Sequence, residues 1–305
     1  MRFTLKQLEY FVAAGDAGSI KQASERINIS QPSISSAISH LEQDFGVQLF
    51  VRHHAQGLTL TSAGQRLLIE ARSLLQQAGS IYDIANEISQ GIRGQLTLGC
   101  FVTLAPMIMP ELCHDFEQLH PEADLRPVEG DQEMLMAQLQ RAELDIVITY
   151  DLEVPDGVAF EPLAALPPHV LVSEDHALAA CHSISLEELE AEPMILLDLP
   201  HSREYFLSLF FQDGLTPNIA GRSRQQEVVR TMVANGYGYT LANVRPRNLT
   251  ALDGRSLRQI PLRGEHRPMR IGIATLIQNR KTRLLEVFEV HCRKLISDGA
   301  VPGMD

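Results

Sequence analysis

No stretch of this 305-residue chain is apolar and continuous enough to span a bilayer. The opening MRFTLKQLEYFVAAGDAGS lacks the apolar run of a signal peptide. The expectation is a cytoplasmic protein with no membrane partner. Cysteine is sparse: Cys100, Cys113, Cys181 and Cys292 are scattered, with no C-x-x-C pair. That pattern points to buried reduced thiols rather than a disulfide framework or a zinc site. H-E-x-x-H, G-x-S-x-G and Walker loops are missing too, and the Asp, Glu and His groupings lack the spacing of a catalytic set. Neither enzyme activity, a cofactor nor a metal is expected. Bulk positive charge is absent, since the formal net charge is −12. A protein that coats nucleic acid by bulk electrostatics is thereby disfavoured.

What is present describes a globular chain of about two or three domains, with 45% apolar and 21% charged residues. The charge is uneven. In residues 1–60, Arg2, Lys6, Lys21, Arg26 and Arg52 balance Glu9, Asp16, Glu25, Glu42 and Asp44, so the excess acid lies further on. Leu5, Leu8, Phe11 and Val12 recur at helical spacing, and Gly15 and Gly18 end that helix. Ser19-Ile20-Lys21-Gln22 reads as a capping box opening a second helix. Ala23 and Ile27 give that helix an apolar face, and Asn28 suits the following turn. Ser30 caps a third helix, with Pro32 tolerated in its first turn. Ile34, Ile38, Leu41 and Phe45 continue it at 4-3-4 spacing, up to Gly46. Two short helices around a tight turn describe a helix-turn-helix, although these signals alone also fit an ordinary three-helix bundle. The segment INISQPSISSAISHLEQDFGVQLFV, residues 27 to 51, carries no lysine or arginine. DNA contact there must be local and geometric.

The fixed register L8…F11…G18-S19…A23…I27…S30-Q31-P32-S33…S35…I38…L41-E42…G46…L49-F50…R52…L60-T61…A63-G64 closely resembles the N-terminal signature of LysR-type transcriptional regulators. The resemblance implies a third helix in the major groove of double-stranded promoter DNA. It also implies a two-stranded wing, here Gln48 to Phe50 and Leu58 to Leu60. Matching positions carry over Gln31, Pro32, Ser33, Ser35 and Arg52 as DNA contacts. Ser36 holds a contact position with a different side chain. Ser30, Lys21 and Arg26 join the candidate set as neighbouring hydroxyl and cationic groups. The chain departs from the family where arginines are usual, at Ser36, Ala37, Ser39 and His40, and at Ile20, where an aromatic is common.

Thr61 caps a predicted long helix from about Ser62 to Gln90. Leu67, Ala71, Leu74, Ala78, Ile81, Ala85 and Ile88 are spaced 4-3-4-3-4-3, an unbroken heptad seam, with Leu68, Leu75 and Tyr82 widening it. The seam fits a two-stranded coiled coil better than a helix packed only on its own domain. The resemblance agrees, implying a homodimer or homotetramer, an interrupted palindrome as the site, and RNA polymerase as a partner.

After Gly91 and Gly94 the pattern alternates strand and helix. Strands are predicted near 95–100, 124–128, 145–149, 169–173, 194–197, 238–241 and 270–275. Helices are predicted near 104–119, 132–142, 202–212, 225–235 and 280–296. This alternation implies open, mostly parallel sheets with ligands at the carboxyl ends of strands. His176-Ala177-Leu178, Ser185–Leu189 and Val233-Ala234-Asn235-Gly236 fall where the same family has recurring segments, although proline is usual at Ala177. The resemblance implies a periplasmic-binding-protein-like effector domain, its lobes joined by crossing strands near 160–166 and 264–269. The expected architecture is thus α+β and multidomain. A winged helix-turn-helix (1–60) and a linker helix (61–90) precede a two-lobed α/β effector domain (91–305), with lobe I about 91–163 and 267–305 and lobe II about 164–266.

Position after strands or at helix starts marks Thr103, Asp131, Tyr150, Asp151, Ser202, Arg203, Arg224 and Asn243 as candidate effector contacts. Asp131 and Ser202 could equally be simple caps, and the arginines solvated surface charges. Both signs together suggest an amino-acid-like or amine-bearing carboxylate. A redox-regulated family member without a metabolite ligand is the alternative. A stand-alone solute-binding protein leaves the first sixty residues unexplained.

Overall fold

The structure, a computed structural model, describes residues 3–53, 57–87, 92–277, 281–297 and 301–304. The chain divides into two compact units, one chiefly N-terminal and the other mostly beyond Ile92.

The first unit packs α1 (Leu5–Ala17), α2 (Ile20–Ile27) and α3 (Gln31–Phe45) around Phe11, Ala14, Ala23, Ile34, Ile38 and Leu41, all fully buried. Ala23 leaves room for the helices to approach, and Asn28 adopts the left-handed conformation (φ 54) that ends α2. The reciprocal capping box forms on α1, between Thr4 and Gln7. At α2 the Ser19 hydroxyl accepts the Gln22 N–H at 3.5 Å. The antiparallel wing is β1 (Phe50–His53) and β2 (Gly57–Leu60), with Arg52 opposite Leu58. Its first strand therefore starts two residues later than Gln48. The Glu42 carboxylate accepts the amides of Leu49 and Phe50, at 2.8 and 3.3 Å, which ties the base of the wing to α3.

Helix α4 (Ser62–Glu87) follows. The Thr61 hydroxyl caps it by accepting the Gly64 N–H at 2.9 Å. A Cβ on Gly64 would stand 2.1 Å from the Leu49 carbonyl oxygen, so only glycine permits this approach. The near half of the heptad seam is used at home. Leu68 lies against Gly15, and Ala71 and Leu68 are buried in the first unit's core, with Leu67 and Leu75 packed on it. Ala71 thus has no surface to offer a second helix. Leu74 is exposed and Ala78 half-exposed. Ile88 lies outside the described residues, as do the side chains of Ile81, Ala85 and Arg52.

The second unit has two lobes. In the first, β3 (Arg93–Phe101), α5 (Ala105–Leu119), β4 (Glu122–Gly130), α6 (Gln132–Gln140), β5 (Ile146–Tyr150) and β6 (Val158–Leu166) are joined by a later strand, β12 (Met269–Leu276). The strand order is β4-β3-β5-β12-β6. In the second lobe, β7 (His169–Ser173), a 3-10 turn (Ala177–Ala180), α7 (Leu186–Leu189) and β8 (Pro193–Leu197) come first. They are followed by α8 (Ser202–Gln212), β9 (Asn218–Ser223), α9 (Gln226–Ala234), β10 (Thr240–Ala242) and β11 (Leu257–Pro261). The chain closes with α10 (Arg283–Leu295) on the first lobe, where Phe288 stacks edge-on against Phe116 of α5.

The sheets are mixed rather than mostly parallel. Strand β3 runs parallel to β4 and β5, and β8 to β9, but β12 is antiparallel to β5 and β6. Strand β7 is antiparallel to β10 and β11. The reason is topological: β12 returns from the second lobe and enters its sheet from the opposite end. The first crossing leaves β6 at Leu166, whereas residues 264–268 of the second are not strand, and β12 starts only at Met269. The loop at Ala177, without the family's proline, is held by His176 Nδ1, which accepts the Leu178 N–H at 3.2 Å.

Candidate functional site

The surface that α3 offers follows from its packing. Ile34, Ala37, Ile38 and Leu41 face the core, which leaves Gln31, Pro32, Ser33, Ser36, Ser39 and His40 exposed and Ser35 half-buried. The exposed Ser30 begins the face as the cap: its hydroxyl accepts the Ser33 N–H at 3.4 Å and lies 2.8 Å from the Ser33 hydroxyl. Part of the predicted hydroxyl set is therefore paired internally, while the Gln31 amide projects from the helix start. No acid lies in the first turn, and the Glu42 charge is spent on the wing amides. The positive end of the helix dipole is left uncompensated on a face with no formal charge. Lys21 and Arg26 are exposed beside it, and Arg26 is loosely drawn to Asp16 at 3.8 Å.

The second candidate site is a small cavity between the lobes. Four of the eight predicted effector residues line it: Thr103, Tyr150, Ser202 and Asn243. Tyr150 is buried with its ring edge-on to Phe101, and its hydroxyl is 3.5 Å from that of Thr103. Burial raises its pKa well above the ordinary tyrosine value, so it remains a neutral phenol. The Asn243 Nδ2 group donates to the Leu166 carbonyl at 2.7 Å and to the Tyr205 hydroxyl at 3.2 Å. Tyr205 in turn donates to the Arg267 carbonyl at 2.7 Å. One amide therefore ties together both segments that cross between the lobes.

The other four candidates are engaged elsewhere and do not line this cavity. Asp151 accepts the Arg270 N–H and guanidinium, both at 2.8 Å, and the Arg267 guanidinium at 3.1 Å. Burial pushes its pKa up, but the hydrogen bonds from Arg270 and Arg267 outweigh it and hold the group below the usual carboxylate value. Asp151 clamps the second crossing and is not free for an ammonium group. Asp131 caps α6 through the Met134 N–H at 3.0 Å and pairs with Arg224 at 2.7 Å. That ion pair joins the lobes, since Asp131 precedes α6 and Arg224 follows β9. Arg203 is held by Asp198 and Glu204, at 2.7 and 2.5 Å.

Helix positions and strand ends did not disclose several lining residues. His169, Gln226, Arg230 and Gln259 complete the polar lining. His169 and Gln259 lie within strands read as apolar or not recognised, and Arg230 falls inside the predicted helix near 225–235 with no local signal to single it out. In the fold Arg230 is only 5% exposed, and its guanidinium donates to the Asn248 carbonyl at 2.9 Å. Burial, then Arg245 and Arg230, push the His169 pKa down to about 3, leaving the ring neutral.

None of the four cysteines is among the residues that line the cavity. Cys100 and Cys292 are buried, Cys113 is half-buried and Cys181 is exposed. Burial raises the pKa of Cys100 and Cys292 and takes that of Cys113 to about 11. All three are thiols rather than thiolates at neutral pH. Among the described residues no cluster of ligands could hold a metal, and no helix is long and apolar enough to cross a membrane.

Fold and site together define a DNA-binding regulator carrying a ligand-binding module. The bacterial regulatory helix-turn-helix model of the lysR family matches residues 5–65, and the LysR substrate binding domain model matches residues 89–296. The chain belongs to the LysR family of transcriptional regulators. It is 37% identical to HinK, a LysR family regulator of Pseudomonas aeruginosa, whose crystal structure superposes with a TM-score of 0.65 over 97% of this chain and 99% of that one. A full-length OxyR variant from the same organism is 25% identical, with a TM-score of 0.75 over 97% and 99% of the two chains. XapR of Escherichia coli K12 is 32% identical, covering 79% of this chain and 82% of that one.

Proposed function

We propose that this regulator binds an interrupted palindrome in promoter DNA as a dimer or tetramer, and that a small molecule in the interlobe cavity alters its DNA affinity or the DNA bend. The carrying observation is the cavity, where buried polar groups converge in a chain that also bears a winged helix-turn-helix. Gln31, with Ser33, Ser35 and Ser36, reads base edges or phosphates from the start of α3, while Lys21, Arg26 and Arg52 supply the ionic contacts. Leu74 and Ala78 belong to the part of the seam left for a second subunit. RNA polymerase is the downstream partner.

The cavity is placed to act on shape. A ligand that contacts Asn243 touches the residue bonded to one crossing directly and to the other through Tyr205. By linkage, occupancy shifts DNA binding only so far as the two lobe arrangements differ in ligand affinity. Selection of bound fragments from a genomic library, with and without candidate metabolites, tests the proposal. Enrichment of a two-fold symmetric site whose occupancy changes with one metabolite is the expected result. No enriched sequence, or enrichment indifferent to every compound, overturns it.

Redox regulation is the second reading, drawn from the peroxide-inducible activators among the chain's curated relatives, one of them 27% identical over 78% of each chain. The raised pKa values of Cys100, Cys113 and Cys292 weigh against it. A cysteine-free variant with unchanged DNA binding under peroxide removes it.

A further inference from the structure

We propose that the interlobe cavity is selective for a compact monoanion, a carboxylate on an apolar and preferably aromatic body, and excludes ligands bearing an ammonium group. This rests on the reading of the cavity as the effector site and replaces the amine-bearing ligand suggested by sequence.

The first argument is charge. Among the described lining residues there is no carboxylate, while Arg230 lies in the wall. Among the described residues its acidic partner is Glu227, 3.4 Å away and about half exposed. Asp131 and Asp151, the two acids that an ammonium would need, are committed to arginines outside the cavity. Burial does most to keep a proton off His169, and the positive field of Arg245 and Arg230 that adds to it also repels any other cation brought into this space.

The distribution of helix caps points the same way. Side chains cap α1, α2, α3 and α7 (Thr4, Ser19, Ser30 and Ser185), and Thr61 and Asp131 cap α4 and α6. The helices that begin at the cavity differ. No side chain caps α5, α8 or α9, and Thr103, Ser202 and Gln226 at their starts all line the cavity. In α8 the first amides go to the carbonyls of Pro200 and Leu199, and at the start of α9 the Ser223 hydroxyl accepts the Gln225 N–H at 3.1 Å, whereas α5 keeps its positive end without a side-chain acceptor. An anion in the cavity supplies what these ends lack.

A third observation, independent of the helix ends, points to a ligand. Asn243, 3% exposed, has its Oδ1 buried without a hydrogen-bond partner, and the buried Nε2 of Gln259 has none either. Neither ring nitrogen of His169 makes a well-formed hydrogen bond, the one contact being toward the Pro167 carbonyl. Such groups are costly to bury unpaired. Gln259 offers a donor to a carboxylate, and Asn243 an acceptor to a ligand hydroxyl or N–H. Phe101, Tyr150, Phe206 and Met269 form walls suited to a flat apolar body.

The test uses four probes of one shape on the full-length protein: phenylacetate, phenylacetamide, phenethylamine and phenylalanine. Melting temperature and titration calorimetry are the readouts. Phenylacetate should raise the melting temperature and bind at least about tenfold more tightly than the amide, with no shift from the amine or the amino acid. Gln259→Glu, which places a carboxylate where the amide donates, should weaken phenylacetate about tenfold or more. Ala242→Phe, which fills the cavity, should abolish the shift. Should either variant fail to fold, the wild-type charge series decides alone.

Failure to bind phenylacetate overturns the inference. So does a larger shift with phenethylamine or phenylalanine; if Ala242→Phe removes that shift, the cavity remains a ligand site and only the charge preference is wrong. Phenylacetate binding that survives both variants places the ligand elsewhere and overturns the cavity reading as well.

Discussion

The exposed face of α3 and the lining of the interlobe cavity both rely on neutral polar side chains, but they hold them in opposite ways. On α3, Gln31, Ser33 and Ser36 lie exposed at the end of a helix whose other face is fixed by Ile34, Ile38 and Leu41. In the cavity, Asn243, His169 and Gln259 are held among apolar walls with Arg230 alongside, and some of their polar atoms have no partner. In the proposed reading, the first arrangement exchanges water for DNA at little cost and borrows its charge from flanking residues. The second is buried, so a mismatched ligand leaves a buried group unpaired. In the proposed functions, discrimination by charge belongs to the cavity, and discrimination by shape and base edge to α3.

The largest expected effect tests how far the second unit depends on a residue that resembled a ligand contact. Asp151→Ala removes the acceptor for Arg267 and Arg270 and should lower unfolding stability by about 2–3 kcal/mol, read in denaturant titrations. Because the native pKa of Asp151 lies below its ordinary value of 3.8, its stabilisation is present above that pH. It is lost as the pH falls through the depressed native value, so the gap between wild type and variant should be flat near neutrality and narrow in acid. A ligand-binding defect without a stability defect would return Asp151 to the effector set.

Gln31→Ala comes next. Base discrimination at one position of the site should fall by about 1–3 kcal/mol, measured by competition with single-base variants of the operator. Unfolding should move by no more than about 0.5 kcal/mol, since the side chain is exposed. The smallest effect belongs to Arg224→Ala. Its pair with Asp131 is solvent-facing on the arginine side, at 66% exposure, so stability should change by less than about 1 kcal/mol. A larger loss would mean that this inter-lobe pair contributes more than a surface contact.

The two regions also differ in how much of them can be read in the chain. The helix-turn-helix is contiguous: its caps at Ser19 and Ser30, its turn at Asn28 and its apolar face occur in order within about thirty residues, and the local rules for each are strong. The cavity is assembled from positions between Phe101 and Met269. Local position identified Thr103, Tyr150, Ser202 and Asn243, because residues at strand ends and helix starts in such folds face the cleft. The same rule also named Asp131, Asp151, Arg203 and Arg224, which do not line the cavity and where a nearby residue of opposite charge pairs with the side chain. It missed Arg230 and His169, since nothing local tells a helix arginine or a strand histidine that it will be buried. The antiparallel β12 escaped for a similar reason: strand direction is decided by where the chain returns, not by the pattern of MRIGIATL.

The claim most open to direct contradiction is that α3 reads DNA with little ionic help. The measurement is the salt dependence of operator affinity for the wild type and Ser36→Arg. Ser36 is exposed on α3, and each added phosphate contact should steepen the log–log slope by about 0.9. A shallow wild-type slope is expected, steepened by about that amount per subunit, with tighter binding, in the variant. A wild-type slope already as steep as that of arginine-rich relatives, or one that Ser36→Arg leaves unchanged, would contradict it.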